Sequence, residues 1–310
     1  MLPLRLAAPS EPSPSGPSLV TGPPVSSSHT SARDARAPVE LHAWLVRSDA
    51  VAFLSGLPDA SVDLVVTDPP YESLEKHRAV GTTTRLSHSK SSSNDWFTVF
   101  PNSRFEELFA HIYRVLRKDT HFYLFCDQET AFVAKPVGEK VGFKFWKPLV
   151  WDKEKIGMGY HYRSRYELIL FFEKGKRRLA DLGVADVLRA PRIHKGYPTE
   201  KPVSLNKVLV SQSSEAGEIV IDPFMGTASA GSAALSLGRS FWGSDISDKA
   251  MSIARERLGA IEIPGAEARV RFVDTLPAAN AAVGGEGAQL GLFAGSDDEA
   301  DREHDESRSR

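Results

Sequence analysis

The stretch VDLVVTDPPY, from Val62 to Tyr71, begins as a buried strand and ends in a stiff polar turn. Its first half is almost continuously apolar, which is typical of a strand that is covered on both faces. Pro69 and Pro70 fix the backbone and remove two N–H groups, so the turn presents carbonyl oxygens beside the Asp68 carboxylate. Such a turn accepts hydrogen bonds, and an NH2 group on a flat ring that stacks on the tyrosine would fit it. An ordinary strand exit is the alternative, because Asp-Pro and Pro-Pro are common in turns.

Strands and helices alternate along the rest of the chain. Apolar runs predict seven strands, with the sequences LHAWLV, VDLVVT, HFYLF, FKFWKPLVW, YELILFF, EIVIDPF and SFWGSDI. Helical spacing predicts helices at AVAFLSGL, between Phe105 and Leu116, from Ser229 to Leu237 and from about Asp248. This alternation predicts an α/β fold with a mostly parallel seven-stranded sheet and helices on both faces. Ligands of such folds bind beyond the carboxyl ends of strands, which is where DPPY and DPF lie.

Composition divides the chain into three segments. Residues 1–38 are rich in Pro, Ser and Ala without an apolar period, so we expect them to be disordered. Residues 39–273 contain the alternating elements and form the expected folded domain. Residues 274–310 are acidic and poor in core-forming side chains, which predicts a second disordered segment.

The net charge of −2 hides an uneven distribution of charge. Between Lys135 and Lys201 the chain has sixteen Lys or Arg and eight Asp or Glu, and this basic region favours a polyanionic partner. The single cysteine, Cys126, excludes an internal disulfide and suits a reducing cytoplasm. No run of eighteen apolar residues predicts a membrane span, and the nine His show no ligand spacing, so we expect no metal site.

Two motifs together resemble S-adenosylmethionine-dependent amino-methyltransferases that act on DNA. The Asp68–Tyr71 sequence DPPY is similar to the catalytic motif of that family. The sequence DPFMGTAS, from Asp222 to Ser229, resembles the cofactor loop Asp-Pro-Phe-x-Gly-x-Gly-Ser/Thr. The chain departs from this pattern at Ala228, where the second glycine usually lies, and alanine restricts the backbone there. The resemblance implies a Rossmann-like methyltransferase fold with bound S-adenosyl-L-methionine.

The order of the motifs resembles that of the circularly permuted β group, because the catalytic motif precedes the cofactor loop. The sequence YPTEKP, from Tyr197 to Pro202, is similar to the His-Pro-Thr-x-Lys-Pro element of the same group, and DPF follows it. The resemblance implies that the cofactor contacts residues from four places in the chain. These are Asp49, for the adenine amine; Thr199 and Lys201, for the carboxylate; Asp222, Phe224, Gly226, Ala228 and Ser229, in the loop; and Asp245, for the ribose.

The resemblance also implies a chemical role for the DPPY turn. The Asp68 carboxylate and the Pro69 carbonyl would each accept one N–H of a base amine, whose lone pair is otherwise delocalised into the ring. Attack on the sulfonium methyl is then an in-line displacement that depends on positioning and electrostatics. The base must leave the duplex to reach the turn, and stacking on Tyr71 offsets part of that cost.

Several substrates fit this chemistry, and adenine N6 leads because the family associates Asp in the motif with adenine. Cytosine N4 is the alternative. Methylation of RNA or of a protein amide is disfavoured, because those relatives usually carry Asn and the unpermuted order. A non-catalytic DNA-binding module is a further alternative, and Ala228 is the feature that favours it.

We expect double-stranded DNA as the partner of a cytoplasmic, nucleoid-associated protein. The sequence QLGLF resembles the peptide by which bacterial proteins bind the replicative sliding clamp, and a homodimer is a further expectation. The residues of that peptide are Gln289, Leu290, Leu292 and Phe293. Candidates for phosphate contacts are Arg85, Lys90, Arg163, Arg165, Lys174, Lys176, Arg177 and Arg178.

Overall fold

The computed structural model describes residues 41–73, 98–157, 161–193, 197, 199–261 and 268–273. Several predictions fall outside these ranges. They are the disordered segments 1–38 and 274–310, the phosphate contacts of Arg85 and Lys90, and the clamp peptide of Gln289, Leu290, Leu292 and Phe293.

A single sheet of nine strands forms the centre of the fold, in the order β6-β4-β5-β3-β2-β7-β8-β1-β9. Eight strands point in one direction, and β5 alone is antiparallel to its neighbours. The strands are β1 (Leu41–Arg47), β2 (Val62–Thr67), β3 (Leu116–Cys126), β4 (Lys144–Asp152), β5 (Tyr166–Lys174), β6 (Val187–Arg189), β7 (Ile219–Asp222), β8 (Ser240–Asp245) and β9 (Ala268–Val273).

The prediction of seven strands was therefore wrong by two, while the mostly parallel α/β arrangement is confirmed. The two additional strands, β6 and β9, are the first and the last strand in the order of the sheet. The three residues of β6 are too few to show a pattern, and β9 alternates Arg with apolar residues. Neither strand has the long apolar run that identified the others.

Helices cover both faces of this sheet. One face packs against α1, α2 and α3 in one apolar cluster, and the other packs against α4, α5 and α6 in a second cluster. A 3-10 turn (Asn102–Arg104) leads into α2. No helix in the described part of the chain has the length and apolar character needed to cross a membrane. The helices are α1 (Ala50–Ser55), α2 (Phe105–Val115), α3 (Gln128–Val141), α4 (Val203–Ser213), α5 (Ser229–Ser236) and α6 (Asp248–Gly259).

The eight parallel strands end at one edge of the sheet, which we call the carboxyl edge, and begin at the opposite amino edge. Strands β2 and β7 are neighbours there, with Val65 paired to Ile221. Beyond that pair, the Thr67 hydroxyl donates to an Asp222 carboxylate oxygen at 2.7 Å. The DPPY and DPF turns thus lie side by side at the point where the strand order changes direction, which is where such sheets bind ligands.

The reversal of β5 decides which of its residues reach the carboxyl edge. Leu168 pairs with Cys126 at the end of β3, whereas Lys174 pairs with Thr120 near its beginning. The first residues of β5, including Glu167, therefore join the turns at the carboxyl edge. The residues that follow Lys174 emerge at the amino edge.

Candidate active site

A cavity of about 570 Å³ opens at the carboxyl edge, between the DPPY and DPF turns. Most residues that the sequence assigned to catalysis or to cofactor binding line this cavity. They are Asp49, Asp68, Pro69, Pro70, Tyr71, Thr199, Lys201, Asp222, Phe224, Gly226, Ser229 and Asp245. Ala228 does not line it, because its side chain is fully buried beneath the loop.

Asp68 lies in a cluster of charged and polar side chains at one wall of the cavity. The Tyr71 hydroxyl donates to Asp68 Oδ1 at 2.6 Å, and Lys201 Nζ donates to Asp68 Oδ2. Both donors are also 3.0 Å from Glu167 Oε1. The other oxygen of Glu167 pairs with Lys153 Nζ at 2.8 Å. We call these five residues the Asp68 cluster.

Electrostatics within the cluster separate the two carboxylates. Burial raises the pKa of Asp68, contact with Lys201 lowers it in part, and the charge of Glu167 raises it again. Burial also opposes ionisation of Glu167, but Lys201 and Lys153 outweigh it and hold its pKa at about 2. Although burial disfavours a charged Lys201, the two carboxylates raise its pKa above the ordinary value. Glu167 and Lys201 are therefore ionised near neutral pH.

Glu167 and Lys153 were not among the residues that the sequence identified. Glu167 is the second residue of β5, in the run YELILFF, and its side chain is only 14% exposed. An acid at the start of a run of apolar strand residues is the one local signal that could have found it, since a buried charge needs a partner.

The cofactor loop is held against the end of β8. Gly226 donates its backbone N–H to Asp245 Oδ2 at 3.0 Å, and Ser247 donates to Asp245 Oδ1 at 2.8 Å. Gly226 has φ +51°, and a Cβ at this position would meet nothing within 4 Å. The loop therefore leaves open space on the cavity side of its backbone.

Asp222 lies beneath the loop and joins it to the DPPY strand. Its Oδ1 accepts the Phe224 N–H at 3.0 Å as well as the Thr67 hydroxyl. Burial raises the pKa of Asp222 to about 7, although these two donors lower it. This carboxyl group therefore titrates near neutral pH.

Ala228 adopts the left-handed conformation that glycine usually supplies, with φ 56° and ψ 44°. For a residue with a Cβ this conformation costs about 1–2 kcal/mol. The loop thus retains the shape expected with glycine. The alanine makes this backbone conformation strained at the residue just before α5. The restriction that the sequence predicted at Ala228 does not prevent the turn.

Asp49 caps α1 at the far end of the cavity. Its Oδ1 accepts the Val51 N–H at 3.0 Å, and Arg104 binds both of its oxygens at 3.1 Å. Burial raises the pKa of Asp49, but Arg104 and the backbone donors together lower it by more, so the net shift of the pKa is downward. Arg104, which the sequence did not identify, keeps this acid ionised and oriented.

Arg257 joins the Thr199–Lys201 turn to the cofactor loop. One guanidinium nitrogen binds Glu200 Oε1 at 2.6 Å, and another donates to the backbone oxygen of Thr227 at 3.0 Å. Thr199 has φ 62°, so this turn also contains a left-handed residue. A side chain of α6 thereby fixes the spacing between the two turns.

The cavity residues fit S-adenosyl-L-methionine. This cofactor carries a sulfonium and an ammonium group, and Asp49, Asp222 and Asp245 supply acidic groups along the cavity. Its flat adenine and its ribose need apolar surface and acceptors, which Phe224 and Asp245 can provide. Within the described ranges, no group of three or more His, Cys, Asp or Glu is placed to hold a metal ion.

The predicted phosphate-binding residues fall at opposite edges of the sheet. Arg163 and Arg165 precede β5 at the carboxyl edge, where Arg165 pairs with Asp152 at 2.7 Å. Lys174, Lys176, Arg177 and Arg178 lie at or beyond the end of β5, at the amino edge.

Lys174 is seven residues along β5 from Glu167, which corresponds to about 23 Å. Its Nζ donates to the carbonyl oxygens of Tyr113 and Leu116 at 2.6 Å each, so it caps the end of α2. Arg177 pairs with Glu218 at 2.8 Å. The structure therefore places the four basic residues at the end of β5 far from the cavity. They are Lys174, Lys176, Arg177 and Arg178.

Comparison with known proteins agrees with this geometry. The DNA methylase family model for N6 and N4 methyltransferases matches residues 62–190 and 183–256. The chain is 26% identical to the Type II methyltransferase M.HpaI of Haemophilus parainfluenzae, over 69% of this chain and 73% of that protein. It is also 26% identical to the DNA adenine methyltransferase YhdJ of Escherichia coli K12, over 69% of this chain and 82% of that protein.

A solved structure has the same fold. The Thermus thermophilus protein TTHA0409, in complex with S-adenosyl-L-methionine, aligns with a TM-score of 0.55 and 22% identity. The alignment covers 75% of this chain and 99% of that one. Because the family model spans more than half of the chain, the protein belongs to the N6/N4 DNA methylase family and is an S-adenosylmethionine-dependent DNA methyltransferase.

Proposed function

We propose that this enzyme methylates the N6 amine of adenine in double-stranded DNA after the base has left the helix. The observation that carries the proposal is that Asp68 and Pro69, which can supply a carboxylate and a carbonyl as acceptors, line the cavity beside the cofactor loop. The likeness to a DNA adenine methyltransferase over 69% of the chain supports the choice of adenine.

Asp68 and Pro69 act as orienting acceptors in this proposal. Each accepts one N–H of the amine, which returns electron density to nitrogen and turns its lone pair toward the methyl group that the sulfonium cofactor supplies. Positioned acceptors of this kind contribute through preorganised electrostatics. Asp68 need not act as a strong base, because the methylated amine readily loses a proton to water.

The target base reaches the cavity by extrusion from the duplex, which costs a few kcal/mol of pairing and stacking. The Tyr71 ring lines the cavity and is otherwise packed in the apolar cluster on the α1–α3 face. Stacking of the base on this fixed ring returns about 1–3 kcal/mol.

Cytosine N4 is the second candidate. Its exocyclic amine offers the same two donors to Asp68 and Pro69, and the family includes enzymes of both kinds. The distinction therefore depends on how the rest of the ring fits the cavity.

The experiment is transfer of tritiated methyl groups from S-adenosylmethionine to unmethylated genomic DNA amplified in vitro, followed by nucleoside analysis. We expect labelled N6-methyladenine. Asp68→Ala should lower the transfer rate by about 100-fold or more, since a charged acceptor at the reacting group is lost. Cofactor binding, measured by calorimetry, should remain.

Asp59→Ala is the matched control, because Asp59 precedes the same strand at the amino edge and its side chain is 77% exposed. This variant should transfer at the wild-type rate. If the labelled product is N4-methylcytosine, the adenine proposal is wrong and the enzyme methylates cytosine, the second candidate. Undiminished transfer by Asp68→Ala would refute the role of Asp68.

Two proposals about partners rest on the sequence alone. The peptide with Gln289, Leu290, Leu292 and Phe293 would bind the sliding clamp, and two copies of the chain would form a homodimer. A pull-down with the clamp and light scattering of the full chain test these two proposals.

A further inference from the structure

Both carboxylate oxygens of Asp68 already accept a hydrogen bond. Tyr71 donates to Oδ1 at 2.6 Å, and Lys201 donates to Oδ2. The amine needs Asp68 as a strong acceptor, but a carboxylate paired with an ammonium group has less electron density to offer. Efficient transfer therefore requires that these donors move to another acceptor as the amine binds.

Glu167 is that acceptor among the described residues. Its Oε1 is 3.0 Å from the Tyr71 hydroxyl and 3.0 Å from Lys201 Nζ, so both donors can transfer their hydrogen bonds through small rotations. No proton changes its heavy atom in this exchange.

The position of Glu167 is rigid. Glu167 is opposite Trp151 of β4, and strand β5 also pairs with β3 from the next residue, Leu168, onward. Its Oε2 is held by Lys153 Nζ at 2.8 Å. A fixed second carboxylate can receive the donors without first becoming ordered.

We propose that Glu167 is a positioning residue, which takes over Lys201 and Tyr71 so that Asp68 is free to accept the target amine. The inference rests on the proposed function, because it assumes that Asp68 holds an exocyclic amine. Two other roles compete with it: Glu167 could simply neutralise Lys201 in the folded protein, or the cofactor carboxylate could itself draw Lys201 from Asp68.

The central variant is Glu167→Gln, which keeps the shape of the side chain and removes its charge. Lys201 then remains on Asp68, and kcat should fall by about 10- to 100-fold, the range that corresponds to one charge-assisted hydrogen bond. The dissociation constant of S-adenosylmethionine should stay within about threefold of wild type, because Glu167 acts on Asp68.

The pH profile supplies a second readout, which reports whether the charge of Glu167 acts on Asp68 and which a loss of folding stability alone would not move. The negative charge of Glu167 raises the pKa of Asp68, so its removal should shift the acid limb of kcat to lower pH. An acid limb set by Asp222 should move much less, because burial and the hydrogen bonds of Thr67 and Phe224 are the main causes of its pKa. The titratable groups that face or interact with Asp68 are Tyr71, Cys126, Glu167, Lys201 and Asp222.

Glu173→Gln is the matched control. Glu173 is a buried glutamate of the same strand, at the amino edge, and should tolerate the change without loss of kcat. Both variants are compared with wild type in thermal midpoint, cofactor affinity and transfer to unmethylated DNA at saturating cofactor.

A lower kcat and a shifted acid limb in Glu167→Gln alone would support the inference. A kcat within about threefold of wild type at saturating cofactor would overturn it, since the cofactor would then suffice to free Asp68. An equal loss of kcat in Glu173→Gln would overturn the inference, because the loss would then be a structural effect. A loss of kcat in Glu167→Gln without a shift of the acid limb would overturn it for the same reason. If wild type methylates cytosine, the adenine proposal fails while the ratio of variant to wild type still tests Glu167.

Discussion

Strand β5 carries a glutamate near each end, Glu167 largely buried and Glu173 fully buried, and the two lie in opposite environments. Glu167 belongs to the Asp68 cluster at the wall of the cavity. It lies 3.0 Å from the Tyr71 hydroxyl and from Lys201 Nζ, which both also donate to Asp68. Glu173 lies at the amino edge near His121, at 3.7 Å, in a cluster that also contains Ser213. The first cluster faces the cavity, and the second is sealed inside the protein.

The sealed cluster has the residue types of a nucleophilic site, but it lacks access for a substrate. Ser213 Oγ is 2.8 Å from His121 Nδ1 and 2.7 Å from the Tyr123 hydroxyl, but Ser213 is fully buried. No substrate can reach such a hydroxyl. The comparison shows that access and spare acceptor capacity distinguish a reactive polar cluster from one that only stabilises the fold.

The largest expected effect that separates the two clusters is the pH dependence of stability. Burial lowers the pKa of His121 from 6.5 to about 4, so the unfolded chain binds a proton before the folded one does. Stability from this group is complete above about pH 6.5 and should fall by about 3 kcal/mol as the pH drops to 4. Denaturant unfolding from pH 7.5 to 4 measures it, with His121→Asn as the reference that does not titrate. Parallel curves for the two proteins would contradict the assignment.

The second effect concerns the cavity alone. Tyr71→Leu keeps an apolar side chain but removes the flat ring, so kcat/KM should fall by about 10- to 100-fold with the loss of base stacking. Tyr71→Phe keeps the ring and should lose less. Methyl transfer to unmethylated DNA measures both, and equal losses in the two variants would assign the effect to the hydroxyl instead.

The smallest effect is expected in the sealed cluster. Tyr123→Phe removes the hydroxyl that contacts Ser213 and keeps the ring stacked on Phe171 at 5.1 Å. The free energy of unfolding should fall by about 1 kcal/mol, the usual contribution of one buried hydrogen bond. Activity at 25 °C should not change, and a reduced kcat in this variant would show that the two clusters are coupled.

The parts of the site that the sequence predicted are those carried by local motifs. DPPY and DPFMGTAS each place several site residues within one turn, and apolar strands directly before them fix which edge they reach. The parallel α/β fold follows from the same alternation. Such features depend on neighbours in the chain, so the chain order is enough to find them.

The residues that the sequence missed depend on contacts between distant segments. Glu167 reaches Asp68 only because β5 runs against β3, and Arg104 reaches Asp49 from the turn before α2. The same reversal carries Lys174 and Arg177 away from the cavity. The direction of one strand within a mostly parallel sheet has no local signal, so the number of charges in this region could not show at which edge of the sheet these basic residues lie.

The reversed strand also determines where this enzyme can vary without harm. Strand β4 ends and β5 begins at the mouth of the cavity, and backbone hydrogen bonds from Lys153 to Arg165 and from Gly157 to Ser164 extend the pairing into the connection between them. Residues can be added or removed between Gly157 and Ser164 while Lys153 keeps its contact with Glu167 and the register of the sheet is unchanged.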